Sequence, residues 1–220
     1  MKLHYWRSSP HSCKVLSVLD ILGIKEDIDL IPTHPWEEQT TLNDVNPLGK
    51  IPTLVLENDV VLYDSTVICE YLSDYARFKL GTFNTLYPQE SEKRWINLRQ
   101  EVLAHGIMEA SILRLLEERA RPFHLQSRSW IHRQQLKIDR SLRHLEEETP
   151  VFEATCLTIG QVSLAIALSY IGYRFPSYIW HTDYPRLTRW YEQMMHLPVL
   201  SRNTPKEIHT LPEKMERIER

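Results

Sequence analysis

The sequence predicts an α+β fold class, in which a small domain of strands and helices is followed by an all-helical domain. Over the first 76 residues, short strand patterns alternate with helix patterns, whereas beyond Pro88 strand patterns almost vanish and long amphipathic helix patterns replace them. A chain of 220 residues suffices for one large or two small domains. We therefore predict a first domain over residues 1–76, a linker over 77–87 and an all-helical domain over 88–220.

The first half of the small domain is predicted as strand, helix, strand. Residues 2–6 are typical of a strand, and residues 12–22 place apolar side chains at helical spacing until Gly23, a residue suited to a helix C-cap. Residues 27–31 alternate like a strand that Pro32 closes. A weak helical segment then ends at the turn signature Asn-Pro-Leu-Gly.

The second half of the small domain is predicted as a hairpin followed by a helix. Strand patterns over residues 53–57 and 60–63 are joined through Asn58-Asp59, and a helix runs from Ser65 to about Tyr75. The resulting order, βαβ-ββα, is the thioredoxin-like arrangement of parallel and antiparallel strands.

The second domain is predicted to be a bundle. The segment 77–88 carries the Gly, Asn and Pro of a connector. Helix patterns follow at 90–120, 125–148, Thr158 to about Tyr173, 184–196 and 205–218. The third of these is apolar nearly all round, which indicates a helix at the centre of the bundle.

The composition excludes several classes of protein. A formal net charge of −3 provides no general attraction for nucleic acid or an anionic membrane, and the most apolar stretch, 162–173, is shorter than a membrane span. Three widely separated cysteines form no disulfide framework, and the ten histidines show no metal-binding spacing. Since the N-terminus also lacks the apolar core of a signal peptide, we expect a soluble cytoplasmic protein without a metal.

Three segments of the first domain are predicted to meet at one edge of its sheet. The turn containing Ser8 and Ser9 precedes a helix, whose N-terminus favours a negative charge. Pro52 opens a strand and cannot donate to its ladder, which leaves the backbone of Ile51 to pair with an extended peptide. A cis Ile51–Pro52 bond would suit this role.

The third segment contains Asp64 and Ser65. Ser65 is a good N-cap residue, and the N–H groups that follow it suit a carboxylate, while Asp64 suits an ammonium group. Together the three segments accept a thiolate, a peptide backbone and an amino-acid head group. A short peptide thiol with a free α-amino-acid end satisfies all three.

The motifs that carry these residues resemble those of the soluble glutathione transferases. The matching stretches are "SSPHSCKV", "NPLGKIPTL" and "LYDSTVICEYL". In the helical half, "LTIGQVSLAIAL" resembles the capped core helix of that family, with Thr158 and Gln161 as a capping box and Leu157 and Val162 as a hydrophobic staple. "HGIMEA" and "ERARP" are similar to a bacterial serine-type branch.

The resemblance implies roles for individual residues. Ser9, directly before the proline, corresponds to the residue that donates a hydrogen bond to the glutathione thiolate, and Ser8 is the alternative because some classes use the first serine of such a pair. Lys50, Ile51, Pro52, Asp64 and Ser65 correspond to the glutathione-binding positions.

Further positions are candidates for the electrophile pocket. His11 either lines that pocket or lies at the surface, and Met108 and Ile112 either face the cleft between the domains or pack in the core. Cys13, inside the first helix, is expected to be a packed small residue. Lys14 follows Cys13 directly, and many relatives have a basic residue near this point.

The function implied by the resemblance is that of a homodimeric glutathione transferase, which activates bound glutathione for attack on a small hydrophobic electrophile. Two alternatives stay open. One is a glutathione-dependent isomerase of the maleylacetoacetate type, which shares the Ser-Ser start but has Cys at the position of His11 and Arg at that of Lys14. The other is a protein of the same fold that binds ligands or partners without turnover.

Overall fold

The computed structural model describes residues 1–37, 40–81, 86–152 and 156–207. Its first domain is built on a four-stranded sheet in the order β2-β1-β3-β4. The strands are β1 (Lys2–Tyr5), β2 (Asp29–Pro32), β3 (Thr53–Val55) and β4 (Val61–Leu62). β1 is parallel to β2 and antiparallel to β3, which is antiparallel to β4. The thioredoxin-like arrangement is thereby confirmed.

The helices of this domain are α1 (Pro10–Leu22), the short α2 (Leu42–Val45) and α3 (Ser65–Leu80). α1 ends as expected, because Gly23 adopts the left-handed conformation (φ 67°) and donates its N–H to the carbonyl of Leu19. α1 and α3 pack against each other, and their buried side chains join Leu3 and Leu54 of the sheet in one core.

Two details of α3 differ from the sequence prediction. The residue that caps the helix is Asp64 and not Ser65, because Asp64 has extended backbone and its carboxylate accepts from the N–H of Thr66. The helix also continues to Leu80, into the segment predicted to be a connector, and the buried Ala76 continues its buried face up to that segment. Gly81 ends it in the left-handed conformation, and residues 82–85 lie outside the described part of the chain.

The described residues of the second domain form helices joined by loops, without a strand. Its helices are α4 (Ser91–Arg119), α5 (Arg128–Glu147), α6 (Ile159–Arg174), α7 (Trp180–Asp183), α8 (Pro185–Met195) and α9 (Pro198–Ser201). The patterns at 90–120, 125–148, 158–173 and 184–196 are confirmed to within a few residues, whereas α7 and α9 were not predicted. Of the helix predicted at 205–218, residues 205–207 are not helical and the rest lies outside the described residues.

α6 lies at the centre of the bundle, as its all-round apolar pattern predicts. Thr158 accepts from the N–H of Gln161 while the Gln161 side chain accepts from the N–H of Thr158, which is the predicted capping box. α4 approaches α6 closely at Gly160, where an added Cβ would lie 2.6 Å from the carbonyl oxygen of Asn97. Within the described residues, no helix has the length and apolarity required to cross a membrane.

Candidate functional site

The sheet topology brings the three predicted segments to one edge. β1 and β4 end at this edge and β3 begins there, because His4 pairs with Thr53 and Leu54 pairs with Leu62. The turn after β1, the residues before β3 and the start of α3 are consequently neighbours. A direct contact supports this placement: Oγ of Ser65 lies 3.5 Å from Nδ1 of His11, on the first turn of α1.

The first segment is a tight turn that begins α1. The N–H of Ser9 donates to the carbonyl of Trp6 (3.1 Å), and Ser9 has extended backbone (φ −82°, ψ 123°) at the N-cap. Its hydroxyl oxygen accepts from the N–H of Ser12 at 3.3 Å. Because accepting uses a lone pair, the O–H proton of Ser9 stays available to a further acceptor. Ser8, in the same turn, is partly exposed like Ser9.

The second segment is organised by Asn46, which is completely buried. Its side-chain amide donates to the carbonyl of Lys50 and to Oγ1 of Thr53, both at 2.9 Å, and its side-chain oxygen accepts from the N–H of Leu48 at 2.9 Å. These bonds shape the loop so that the ladder begins only at Thr53. Ile51 precedes the ladder, and its peptide bond to Pro52 is cis.

The third segment provides a carboxylate for an ammonium group and helix N–H groups for a carboxylate, as predicted. Asp64 is exposed and forms the N-cap of α3, where the first-turn N–H groups are oriented toward the edge of the sheet. Burial by itself would raise the pKa of Asp64, but the hydrogen bond from Thr66 and the nearby His105 and Lys14 outweigh it and lower that pKa. Asp64 is therefore a carboxylate at neutral pH.

Helix α4 adds a residue from the second domain to this edge. The ring of His105 lies 4.7 Å from that of His11 between centroids, and its Nδ1 is 3.9 Å from Oδ2 of Asp64. Burial, then the neighbouring His105 and Lys14, lower the pKa of His11 to about 3. His11 is thus a neutral imidazole at the contact between the two domains, where its side chain remains partly exposed.

Beneath these groups lies an ion pair that joins the domains. Nζ of Lys14 on α1 is 3.2 Å from Oε1 of Glu101 on α4, with the two side chains only 2% and 3% exposed. The same ammonium lies 3.5 Å from Oγ1 of Thr66 on α3. Since buried charges are tolerated only when they are paired, these contacts explain how a lysine can occupy the inner face of α1.

The remaining predicted positions divide between core and cleft. Met108 is 1% exposed and belongs to the hydrophobic core, so it lines no open pocket. Ile112, one turn further along α4, is partly exposed and stays a candidate.

Cys13 is completely buried, as expected of a packed residue, and burial raises the pKa of its thiol to about 12. Among the described residues, no group of three or more His, Cys, Asp or Glu side chains is arranged to hold a metal ion.

Sequence reasoning missed three residues of this site: His105, Glu101 and Asn46. His105 and Glu101 lie one helical turn apart on α4, so they share a face, and this spacing was the available signal. Nothing in the sequence relates that face to α1. Asn46 belongs to the turn signature Asn-Pro-Leu-Gly, which predicts a turn but not the three hydrogen bonds that its side chain forms.

The chain is similar to known proteins in both sequence and fold. A family model described as "Glutathione S-transferase, N-terminal domain" matches residues 8–74. The chain is 28% identical over 207 residues to the uncharacterized GST-like protein YibF of Escherichia coli (strain K12), covering 93% of this chain and 98% of that protein.

Two solved structures provide closer matches. A glutathione transferase family member from Pseudomonas fluorescens Pf-5, with bound glutathione, is 34% identical, covers 94% of this chain and 99% of its own, and superposes with a TM-score of 0.84. A glutathione S-transferase from Methylobacillus flagellatus KT, with GSH bound, is 31% identical, covers 93% and 99% of the two chains, and has a TM-score of 0.83.

Proposed function

Since the chain belongs to the glutathione S-transferase family, we propose that it is a glutathione transferase that activates the thiol of bound glutathione for attack on a hydrophobic electrophile. The observation that carries this proposal is the convergence, at one sheet edge, of two helix N-termini and the Ile51–Pro52 segment. The known structures with glutathione bound support glutathione as the thiol substrate.

Ser9 is proposed to hold the sulfur as a thiolate. Lowering a thiol pKa from the ordinary value of about 8.5 to near neutrality requires roughly 2.7 kcal/mol for two units. A hydrogen bond to a charged group contributes about 1.5–3 kcal/mol, and a helix N-terminus adds about 0.3–1 kcal/mol. The Ser9 oxygen accepts a hydrogen bond as the cap of α1, so its O–H proton remains available to donate to the thiolate. That hydrogen bond and the N-terminus of α1 together match the required free energy.

The other segments are proposed to bind the rest of the peptide. The backbone of Ile51, outside the ladder, pairs with the extended peptide, while the exposed ammonium of Lys50 attracts its carboxylates. The first-turn N–H groups of α3, the helix that begins at Ser65, hold the α-carboxylate. Asp64, the N-cap residue, accepts from the α-ammonium. Each charged end of the substrate thus meets an opposite charge or dipole.

The reaction is nucleophilic attack by the bound thiolate. The sulfur supplies the electron pair for the new C–S bond, the leaving group departs with the electrons of the broken bond, and the thiol proton has already passed to solvent. No covalent bond to the protein is required. Ile112 and His11 are proposed to contact the electrophile, with His11 acting as a neutral imidazole.

The protein is further proposed to act as a homodimer in the cytoplasm. α3 and α4 expose large apolar side chains, among them Val67 (47%), Trp95 (65%) and Val102 (71%). Apolar side chains exposed to this extent on adjoining elements are typical of an interface between copies. Sedimentation equilibrium tests this proposal, and a monomer at micromolar concentration would refute it.

The central test compares Ser9→Ala with Ser8→Ala. On addition of glutathione, the unaltered protein should develop the ultraviolet absorbance of a thiolate and conjugate an aryl halide. Loss of a hydrogen bond of about 1.5–3 kcal/mol should lower kcat/KM roughly 10- to 150-fold in Ser9→Ala. Ser8→Ala should retain most activity. If both variants keep the full rate, the mechanism is wrong.

The isomerase alternative is favoured by the Ser8-Ser9 pair at the turn. Turnover of a cis-diene diacid, without conjugation of aryl halides, would establish that alternative. If the protein binds glutathione but shows neither activity, the alternative of a non-catalytic ligand-binding protein would be supported.

A further inference from the structure

The turn that carries Ser9 is attached to a distant part of the chain. The guanidinium of Arg7, two residues before Ser9, donates to Oδ1 of Asn203 and to the carbonyl of Arg202, each at 3.2 Å. The N–H of Lys206 in turn donates to the carbonyl of Arg7 at 3.2 Å. Both the side chain and the backbone of Arg7 are therefore bound by segment 202–206, which follows the last described helix.

Asn203 connects this segment to α1 as well. It is 1% exposed, and its side-chain amide lies 3.4 Å from the carbonyl of Leu16 and 2.5 Å from Oδ2 of Asp20. Asp20 also accepts from Nε of Arg202 at 2.7 Å. One buried asparagine thus holds the body of α1 through its nitrogen and the turn before α1 through its oxygen.

Such a double attachment fixes the position of the cap residue. Ser9 lies between the two anchored parts, because Arg7 precedes it and Leu16 and Asp20 follow it on α1. A hydrogen bond weakens steeply when its donor moves or tilts, and catalytic groups must be held to within about 0.5 Å. Arg7 and Asn203 form hydrogen bonds with α1, α9 and segment 202–206, away from segments 49–54 and 64–66.

We propose that Arg7 and Asn203 are positioning residues, through which segment 202–206 holds the Ser9 hydroxyl in the direction of the glutathione sulfur. The inference rests on the proposed function, because it assigns Ser9 the role of thiolate donor. It goes beyond that function in making thiol activation, but not glutathione binding, depend on the end of the helical domain.

The test measures ionisation and binding separately in Arg7→Met, Arg7→Lys and Asn203→Ala. The pKa of the bound thiol is read from the thiolate absorbance as a function of pH, and binding is read by calorimetry with S-methylglutathione, which has no ionisable thiol. Lys206→Ala is the control within the segment, since the segment uses only the backbone of this exposed residue. Leu145→Ala, a buried residue of α5, controls for a general loss of stability.

Arg7→Met and Asn203→Ala should lower the thiolate fraction about tenfold at a pH below the thiol pKa, which corresponds to one pKa unit. Their affinity for S-methylglutathione should stay within about twofold of that of the unaltered protein, far less than the tenfold of one pKa unit. Arg7→Lys, which keeps one donor, should restore part of the thiolate, and both controls should leave it unchanged.

Three results would overturn the inference: an unchanged thiol pKa in both Arg7→Met and Asn203→Ala, a parallel loss of S-methylglutathione affinity, or an equal pKa change in Leu145→Ala. A missing thiolate band in the unaltered protein, or a Ser9→Ala variant with an unchanged thiol pKa, would instead refute the proposed function and the inference with it.

Discussion

The buried ion pair between Lys14 and Glu101 makes a quantitative prediction about how the two domains are held together. Lys14→Met leaves a carboxylate without its cation, and Glu101→Leu leaves an ammonium without its anion, in a place where both side chains are 3% exposed or less. Removing one partner of a buried pair typically costs about 3–5 kcal/mol, because the other charge cannot be solvated. We expect each single variant to lose this amount of unfolding free energy.

The double variant Lys14→Met/Glu101→Leu should behave differently. Replacing both charges with apolar side chains of similar volume is often neutral or stabilising, since neither charge must then be desolvated. We therefore expect its unfolding free energy to return to within about 1 kcal/mol of that of the unaltered protein.

Thermal unfolding followed by tryptophan fluorescence provides the measurement. At about 2–4 °C per kcal/mol for a chain of this length, the single variants should melt roughly 6–20 °C lower. Lys93→Met is the control, because Lys93 and Glu90 form an ion pair at 3.0 Å that is about 70% exposed; it should change the unfolding free energy by less than about 1 kcal/mol. Single variants as mild as this control, or a double variant whose loss equals the sum of the singles, would refute the reasoning.

Three further predictions concern the site and the cysteines. Asn46→Ala should cost roughly 2–3 kcal/mol, since it removes three hydrogen bonds of the loop before β3, and should weaken glutathione binding in calorimetry; unchanged affinity would contradict the role of this loop. The pKa of His11 is about 3 in the folded chain and 6.5 when exposed, so the unfolded state binds more protons between these two pH values. The contribution of neutral His11 to the free energy of unfolding is therefore fully present above pH 6.5 and is lost as the pH falls. Urea titrations should show that the free energy of unfolding decreases by about 2–3 kcal/mol between pH 6.5 and about pH 4.5, and that this decrease is smaller in His11→Phe. An equal decrease in the two proteins would refute the role of His11. A thiol reagent should modify only the exposed Cys156 in the native protein and all three cysteines in denaturant, because the other two are buried; rapid modification of a second thiol would contradict this burial.

Much of the site could be predicted because local patterns determine where a helix begins and how a strand ends. The Ser9-Pro10 start of α1 and the Thr158 capping box depend on residues three or four positions apart, so the sequence contains all the necessary information. The cap of α3 shows the limit of this reasoning. Asp64 and Ser65 are both good caps, and only the extended backbone at Asp64 decides between them.

The sequence by itself determined the fold class and the three segments at the sheet edge, because each follows from periodicity and turn residues, and it predicted the chemistry that these segments suit. Only the tertiary structure decided what those segments contact. The pairing of Lys14 with Glu101, the contact of His11 with His105 and the attachment of Arg7 to Asn203 each join residues far apart in the chain. Charge and polarity alone cannot distinguish such residues from solvent-exposed ones, because burial and partner are properties of the packed domains and not of any local pattern.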